Sequence, residues 1–400
     1  MHFSNKIPMN IRITHIDIYT EQEIIRDGSL LLSDGVIASV CRTSEETADA
    51  TRVINGTGLS VVPGYIDAHC HGGGGYDCNQ GTEEALVKMR TFYGRHGVTT
   101  LYPTLAADLL PALEQGLQAV RSVMRQNQAG ETEIAGCHLE GPFLNKVYKG
   151  SQAEDAILPM TDDHLRFYET YSDVIRRTTI APEVGHNLDY FPALRAMNIQ
   201  LSVGHSCAEY NEVLAAIEAG ATSVTHLYNA MSQTKKTGPF RIGGVVEAAL
   251  TQDALYAEII CDGYHLPNEL IQIAYRCKGV GRLSVCSDAN RAAGVVTHGD
   301  TIHSCGETYV VENGVVMNST RTSLASSITP VDKMVRHLIF NVGLPAIDVV
   351  RMTSGTTAKM MGIFDRKGSI AVGKDADINI VDAQFNVVKT FCKGVPVGGE

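Results

Sequence analysis

Apolar and polar positions fall into two textures along the chain. In residues 1–61 the segments IRITHIDIYT, SLLLSDGVIASVC and TRVINGTGLSVV alternate apolar with polar residues and favour β-branched side chains. The turn clusters SDG and NGTG punctuate them, which predicts short strands. Residues 365–400 return to that texture in GSIAVGKDADINIVD and FNVVKTFCKGVPV. Two β-rich ends around a different middle predict one small β-sandwich domain built from 1–61 and 365–400, because the termini of a folded domain often lie close together.

The middle, residues 62–364, alternates on a longer period. Short apolar runs such as GVTTLYPT, IAGCHLEG, QLSVGHS, ATSVTHLYNA, YAEIICDG and RLSVCSD each end in polar residues or glycine. Helix-length segments lie between them, among them TEEALVKMRTFYGRH, LPALEQGLQAVRSVMRQ, AEYNEVLAAIEAG and NELIQIAYRCKG. Strands alternating with helices predict βα units around a parallel sheet. This length suits an α/β fold of the (β/α)8 TIM-barrel type, typically roughly 250 residues. An open doubly wound sheet is the alternative. The barrel is preferred because chemically interesting residues recur at the C-terminal ends of successive strands, where a barrel builds its active site.

Composition narrows the partners. A content of 44% hydrophobic and 19% charged residues describes an ordinary globular chain. A net charge of −11 offers no long-range attraction to nucleic acid or an anionic membrane, so neither is expected as a partner. An anionic substrate would need local positive charge at its site. The ten cysteines are scattered from Cys41 to Cys392 without a CxxC pair, which predicts reduced, mostly buried thiols. With no signal-like N-terminus and no membrane-length apolar run, the expectation is a soluble, cytoplasmic protein.

The candidate chemistry sits at the strand ends. His69 and His71 in PGYIDAHCHG are one residue apart, so on a strand both point to one face and can share a metal ion. Taken singly, HxH is equally a polar turn. Glu140 in CHLEGPF ends an apolar strand and can bridge two ions or serve one, although a surface acid would read the same. His138 shares its face and is a candidate to stand behind the ligands. His205 in SVGHS and His226 in SVTHLYNAM lie twenty-one residues apart, one βα repeat, which brings them to adjacent strands. Asp288 in RLSVCSDAN ends a later strand, where a carboxylate can be the general base or merely cap a helix. Each signal is weak; six in this order are strong together.

These stretches resemble the amidohydrolase superfamily, and within it the N-acetylglucosamine-6-phosphate deacetylases. PGYIDAHCHG, HLEGPFLN, APE (181–183), GHS, THLYNAM, CDGYH and SDA carry the resemblance, and THLYNAM with LEGPF is specific. It implies metal-dependent deacetylation of an N-acetyl-hexosamine phosphate, foremost N-acetylglucosamine-6-phosphate. N-acetylgalactosamine-6-phosphate, an unphosphorylated N-acetyl sugar, a cyclic amide or an N-acyl amino acid are the alternatives. It further implies Glu140, His205 and His226 as metal ligands, and His69 and His71 as holders of a second ion. One or two divalent ions, zinc or iron, would serve a subunit. Asp288 would be the catalytic acid/base, with His265, Asn229 and Ala230 at the substrate and a homodimer as the assembly.

Two departures from the pattern stand out. The Arg-Glu-Pro-Gly segment whose arginine grips phosphate in many relatives is replaced by SQTKKTGPFRIGG, leaving Lys235, Lys236 and Arg241 as available cations, with Arg241 the candidate contact. Gln152 stands where many relatives have histidine and is a further candidate substrate contact. Arg321 in TRTSLASS is a possible anion contact. The glycine run 72–75 lacks the spacing of a phosphate loop.

Overall fold

The computed structural model describes residues 10–295, 299–304, 307–312 and 314–399. Eight parallel strands wrap around the middle of the chain: β1 (Tyr65–Cys70), β2 (Val98–Ala106), β3 (Cys137–Glu140), β4 (Ile175–Ile180), β5 (Gln200–Val203), β6 (Ala221–Val224), β7 (Tyr256–Ile260) and β8 (Leu283–Cys286). They pair in sequence order. Beyond the strand ends the Asp288 amide bonds to the His69 carbonyl at 2.9 Å, and His71 and Gly72 amides bond to the Ala289 carbonyl at 2.8 and 2.9 Å. That seam brings β8 back to β1 and makes the sheet a nearly closed TIM-type barrel. It also explains the glycine run: a Cβ on Gly72 would lie 2.5 Å from the Arg291 backbone nitrogen. The glycines permit close packing across the seam.

Helices predicted between the runs form as Glu83–Arg95, Leu110–Met124, Tyr210–Glu218 and Asn268–Lys278. Thr82 caps the first by accepting from the Ala85 amide at 3.2 Å, and Glu83 and Glu84 favour its positive end. The second opens on a proline in its first turn and buries Leu113, Leu117, Val120 and Val123, one stripe at helical spacing. An antiparallel meander, Thr301–Ser304, Glu307–Glu312 and Val315–Asn318, follows β8 and was not anticipated. Its Ile302 and Tyr309 lie over the barrel mouth beside His71. Among the described residues no helix is long and apolar enough to cross a membrane.

The chain ends build one eight-stranded sheet, Ile11–Tyr19, Ile24–Ser33, Val36–Arg42, Arg52–Asn55, Ser60–Pro63, Ile378–Val381, Val387–Cys392 and Val395–Pro396. It folds over its own core, in which Ile11, Ile13, Leu30, Ile378 and Phe391 are buried. Ala376 ties the fold shut, donating to Gly35 and accepting from Gly394, both at 2.9 Å. Charge anchors this sheet to the barrel: buried Lys367 reaches Asp375 at 3.0 Å and Glu133 at 3.2 Å, and Arg366 forks onto Glu133 at 2.7 and 2.9 Å.

Candidate metal centre and active site

The site is set by where the strands stop. His205, His226 and Asp288 each stand two residues past the end of their strand, and Glu140 is the last residue of β3. At all three of those post-strand positions the backbone enters the left-handed region, with φ of 48°, 34° and 43°. Non-glycine residues seldom adopt it, and such strain gathers at functional sites. Here it turns each side chain into the barrel mouth.

Glu140 is the hub. Its Oε1 lies 3.2 Å from His205 Nε2, 3.0 Å from His226 Nε2 and 3.4 Å from His69 Nε2. Its Oε2 lies 3.1 Å from His71 Nε2. The two histidine nitrogens of the first group are 3.1 Å apart, and those of His69 and His71 3.4 Å. Two three-residue groups therefore share one carboxylate, Glu140–His205–His226 and His69–His71–Glu140.

The hydrogen bonds behind the ligands show what the first group would hold. His205 Nδ1 lies 2.7 Å from the Tyr148 carbonyl and His226 Nδ1 3.1 Å from the Asn229 carbonyl. A carbonyl only accepts, so both Nδ1 atoms carry a proton, which leaves Nε2 as the ring nitrogen that would ligate an ion. The two Nε2 atoms and a carboxylate oxygen then converge within 3.2 Å of one another. That arrangement suits a cation. Tetrahedral donors at about 2.0–2.1 Å from a zinc-like ion sit roughly 3.3 Å apart, close to these spacings.

The second group differs. His69 Nδ1 faces the Glu258 carboxylate at 3.1 Å, while His71 Nδ1 is buried and has no hydrogen-bond partner among the described residues. Burial alone would depress His69, yet Glu140, Glu258 and Asp288 push it up to about 10. The pocket demands positive charge. Asp288 Oδ1 lies 3.3 Å from His71 Nε2 and 3.5 Å from His69 Nε2. Burial opposes its charge, but His69 and His71 hold the carboxyl below its ordinary value, so it is available as a base.

Over these residues opens a cavity of about 350 Å³. Asn229, Ala230, Gln152 and His265 line it. Gln152 is already engaged: its amide donates to Glu140 Oε2 at 2.7 Å and its oxygen accepts from the Ala107 amide at 2.8 Å. It orients the shared carboxylate. His265 Nδ1 sits 2.7 Å from Asp262 Oδ2; burial would lower it, but Asp262 outweighs burial and raises it. Asp262 is in turn held at about 2, mainly by His265 against the cost of burial. The Asp262 carboxylate therefore favours the protonated form of the imidazole that lines the cavity.

The remaining residues singled out by sequence lie elsewhere. Arg241 is exposed on a hairpin of Lys235–Thr237 and Phe240–Ile242, outside the cavity lining, and Lys235 pairs with Glu209 at 2.9 Å. Arg321 is paired with Glu312, its Nε at 3.0 Å, so the anion it meets is internal. His138 stands behind the ligands, its ring 4.6 Å from that of His69. It bonds to Thr179 at 2.8 Å, and burial together with Arg177 keeps it neutral. Residues that sequence reasoning missed include Glu258, Arg177 and Arg291. The last lines a cleft of about 50 Å³ beside His71.

A barrel with this donor set defines a class, and the class is confirmed by comparison. The family model for the amidohydrolase family matches residues 60–397, and the chain belongs to that metal-dependent hydrolase family. More particularly, it is 31% identical over 389 residues to the N-acetylglucosamine-6-phosphate deacetylase of Bacillus subtilis strain 168, covering 96% of each chain. It is 27% identical over 378 residues to an N-acetylgalactosamine-6-phosphate deacetylase of Escherichia coli O157:H7, covering 94% of this chain and 96% of that one. Among solved structures, the N-acetylglucosamine-6-phosphate deacetylase of Pasteurella multocida superposes with a TM-score of 0.90 at 28% identity, over 96% and 98% of the two chains.

Proposed function

We propose that this chain is a cytoplasmic deacetylase that hydrolyses the acetamide of N-acetylglucosamine-6-phosphate to acetate and glucosamine-6-phosphate. The observation that carries the reading is the convergence of Glu140 Oε1, His205 Nε2 and His226 Nε2 in a barrel mouth, with the Asp288 carboxylate nearby. Glu140, His205 and His226 would hold one divalent ion, and His69 and His71 with Glu140 a second; imidazole with carboxylate suits zinc or iron. Such an ion supplies the Lewis acidity that an unreactive amide and its attacking water require. Asp288 takes the proton of that water as its oxygen bonds to the acetyl carbon. It delivers a proton to the sugar nitrogen as the C–N bond breaks. Residues 62–364 form the catalytic domain in this reading, and 1–61 with 365–400 the accessory one. The exposed hairpin, with Phe240 72% exposed, is the surface expected to meet a second copy in a homodimer.

The resemblance to a galactosamine-phosphate enzyme favours one alternative reading, the galacto epimer. Acetate release from both epimers, with and without phosphate, separates these possibilities. The gluco phosphate is expected to give the highest kcat/KM. Equal rates with the unphosphorylated sugars would sink the phosphate reading.

His265 gives a pH signature. Its raised pKa means that the cation is present below that pKa and lost as pH climbs through it. Asp262 and Asp288 are the charged groups that face it, and both stay ionised over that range. KM for the phosphorylated sugar is therefore expected to rise as the pH climbs through that raised pKa, while the His265→Gln variant starts high and stays flat. Parallel profiles for the two proteins would remove His265 from anion binding.

A further inference from the structure

Beneath the ligands, the barrel interior holds an ion pair that amide hydrolysis does not call for. Arg177 on β4 and Glu258 on β7 have no exposed side-chain surface. The guanidinium forks onto the carboxylate, Nη1 to Oε1 at 2.7 Å and Nη2 to Oε2 at 3.0 Å. Nη2 also donates to Ser202 Oγ at 3.1 Å. A buried pair of this kind is weak evidence for stability, since well-packed apolar residues often do as well or better. Its other contacts point to a different use.

Glu258 Oε2 accepts from His69 Nδ1 at 3.1 Å and from the backbone amide of His226 at 3.3 Å. One oxygen thus touches a ligand of each group. The four imidazoles are held unequally among the described residues: His205 and His226 Nδ1 rest on neutral carbonyls, His71 Nδ1 has no partner, and His69 Nδ1 alone rests on a carboxylate. His69, Glu258 and Cys286 also come close enough to form a misplaced ligand set one layer down. Arg177 occupies both oxygens of Glu258 and so blocks it.

We propose that Glu258 and Arg177 are positioning residues that make the His69–His71 compartment a metal site. Glu258 fixes His69 with its proton on Nδ1 and Nε2 turned toward Glu140. Arg177 keeps Glu258 aimed at His69 rather than at an ion. The inference rests on the metal-dependent reading of the site and adds which buried residues decide occupancy of the second compartment. Partners of this kind behind a ligand are worth about 10–100-fold in metal affinity.

The test is metal stoichiometry and affinity of the full-length chain. Wild type and Glu258→Gln are loaded with zinc, dialysed against a graded chelator series and measured for bound metal per chain; cobalt-loaded samples are compared by visible absorption. Wild type is expected to retain two ions. Glu258→Gln should release one of them at about 10–100-fold lower chelator strength and keep the other. If Glu258→Gln leaves Arg177 uncompensated and unfolded, the double variant Glu258→Gln/Arg177→Met removes both charges and should show the same selective loss. Equal retention of both ions by wild type and variants overturns the inference, as does a wild type that binds only one. The activity reading fails separately: wild type that hydrolyses no acetamide while Glu258→Gln still loses one ion would sink the deacetylase and leave the positioning role standing.

Discussion

Asp288→Asn is expected to lower kcat by at least about a thousandfold while the protein keeps its metal. Positioned proton transfer is worth about 10²–10⁴ in rate, and among the described residues lining the cavity Asp288 is the one carboxylate not shared between the histidine groups. Its backbone is pinned independently of its carboxylate, the amide to the His69 carbonyl at 2.9 Å and the carbonyl to the Ser327 amide at 2.8 Å. Asparagine tolerates the left-handed backbone at this position as aspartate does, so the loop should survive the exchange. Acetate release and metal analysis on the same sample decide the matter. Loss of metal in step with activity would make Asp288 chiefly a ligand.

Glu140→Gln should act on the other quantity. Glu140 is the only carboxylate among the described residues in contact with all four candidate histidine ligands, and an amide carries no charge to offset a divalent ion. Bound metal is expected to fall below half of the wild-type content, and turnover by at least about a thousandfold. The fold should persist, because the strand-end backbone around it is bonded elsewhere: the Gly141 amide meets the Thr179 carbonyl at 3.3 Å. Metal analysis with a circular dichroism spectrum checks both halves. A variant that keeps its full complement of metal would show that the histidines alone hold it.

Much of this site is legible because a barrel places its chemistry at predictable points. A histidine or aspartate two residues beyond an apolar run declares itself in GHS, THLYNAM and CSDAN. The barrel itself follows from apolar runs spaced by amphipathic helices. What escaped notice sits inside strands. Arg177 in IRRTTI and Glu258 in YAEII have partners that are distant in sequence, and no local pattern joins two strands across a barrel. A signal existed nonetheless: a charged residue amid fully buried apolar neighbours must find an opposite charge. Gln152 was read as a substrate contact because its neighbour Glu140 is visible only in three dimensions. Arg321 was readable as a free cation for the same reason, until Glu312 came into view on the meander.

The sheet built from both chain ends bears on the order in which the molecule can assemble. Strand Ser60–Pro63 lies between Ile11–Tyr19 and Ile378–Val381, so one of its ladders waits for a partner made more than three hundred residues later. During synthesis the barrel can close while this strand still carries an open edge, and long-range pairings of this sort are slow to form. Ile378–Val381 closes that edge, and Phe391 on the neighbouring strand fills the core beneath it. Residues 378–381 must be made before strand Ser60–Pro63 acquires its second neighbour.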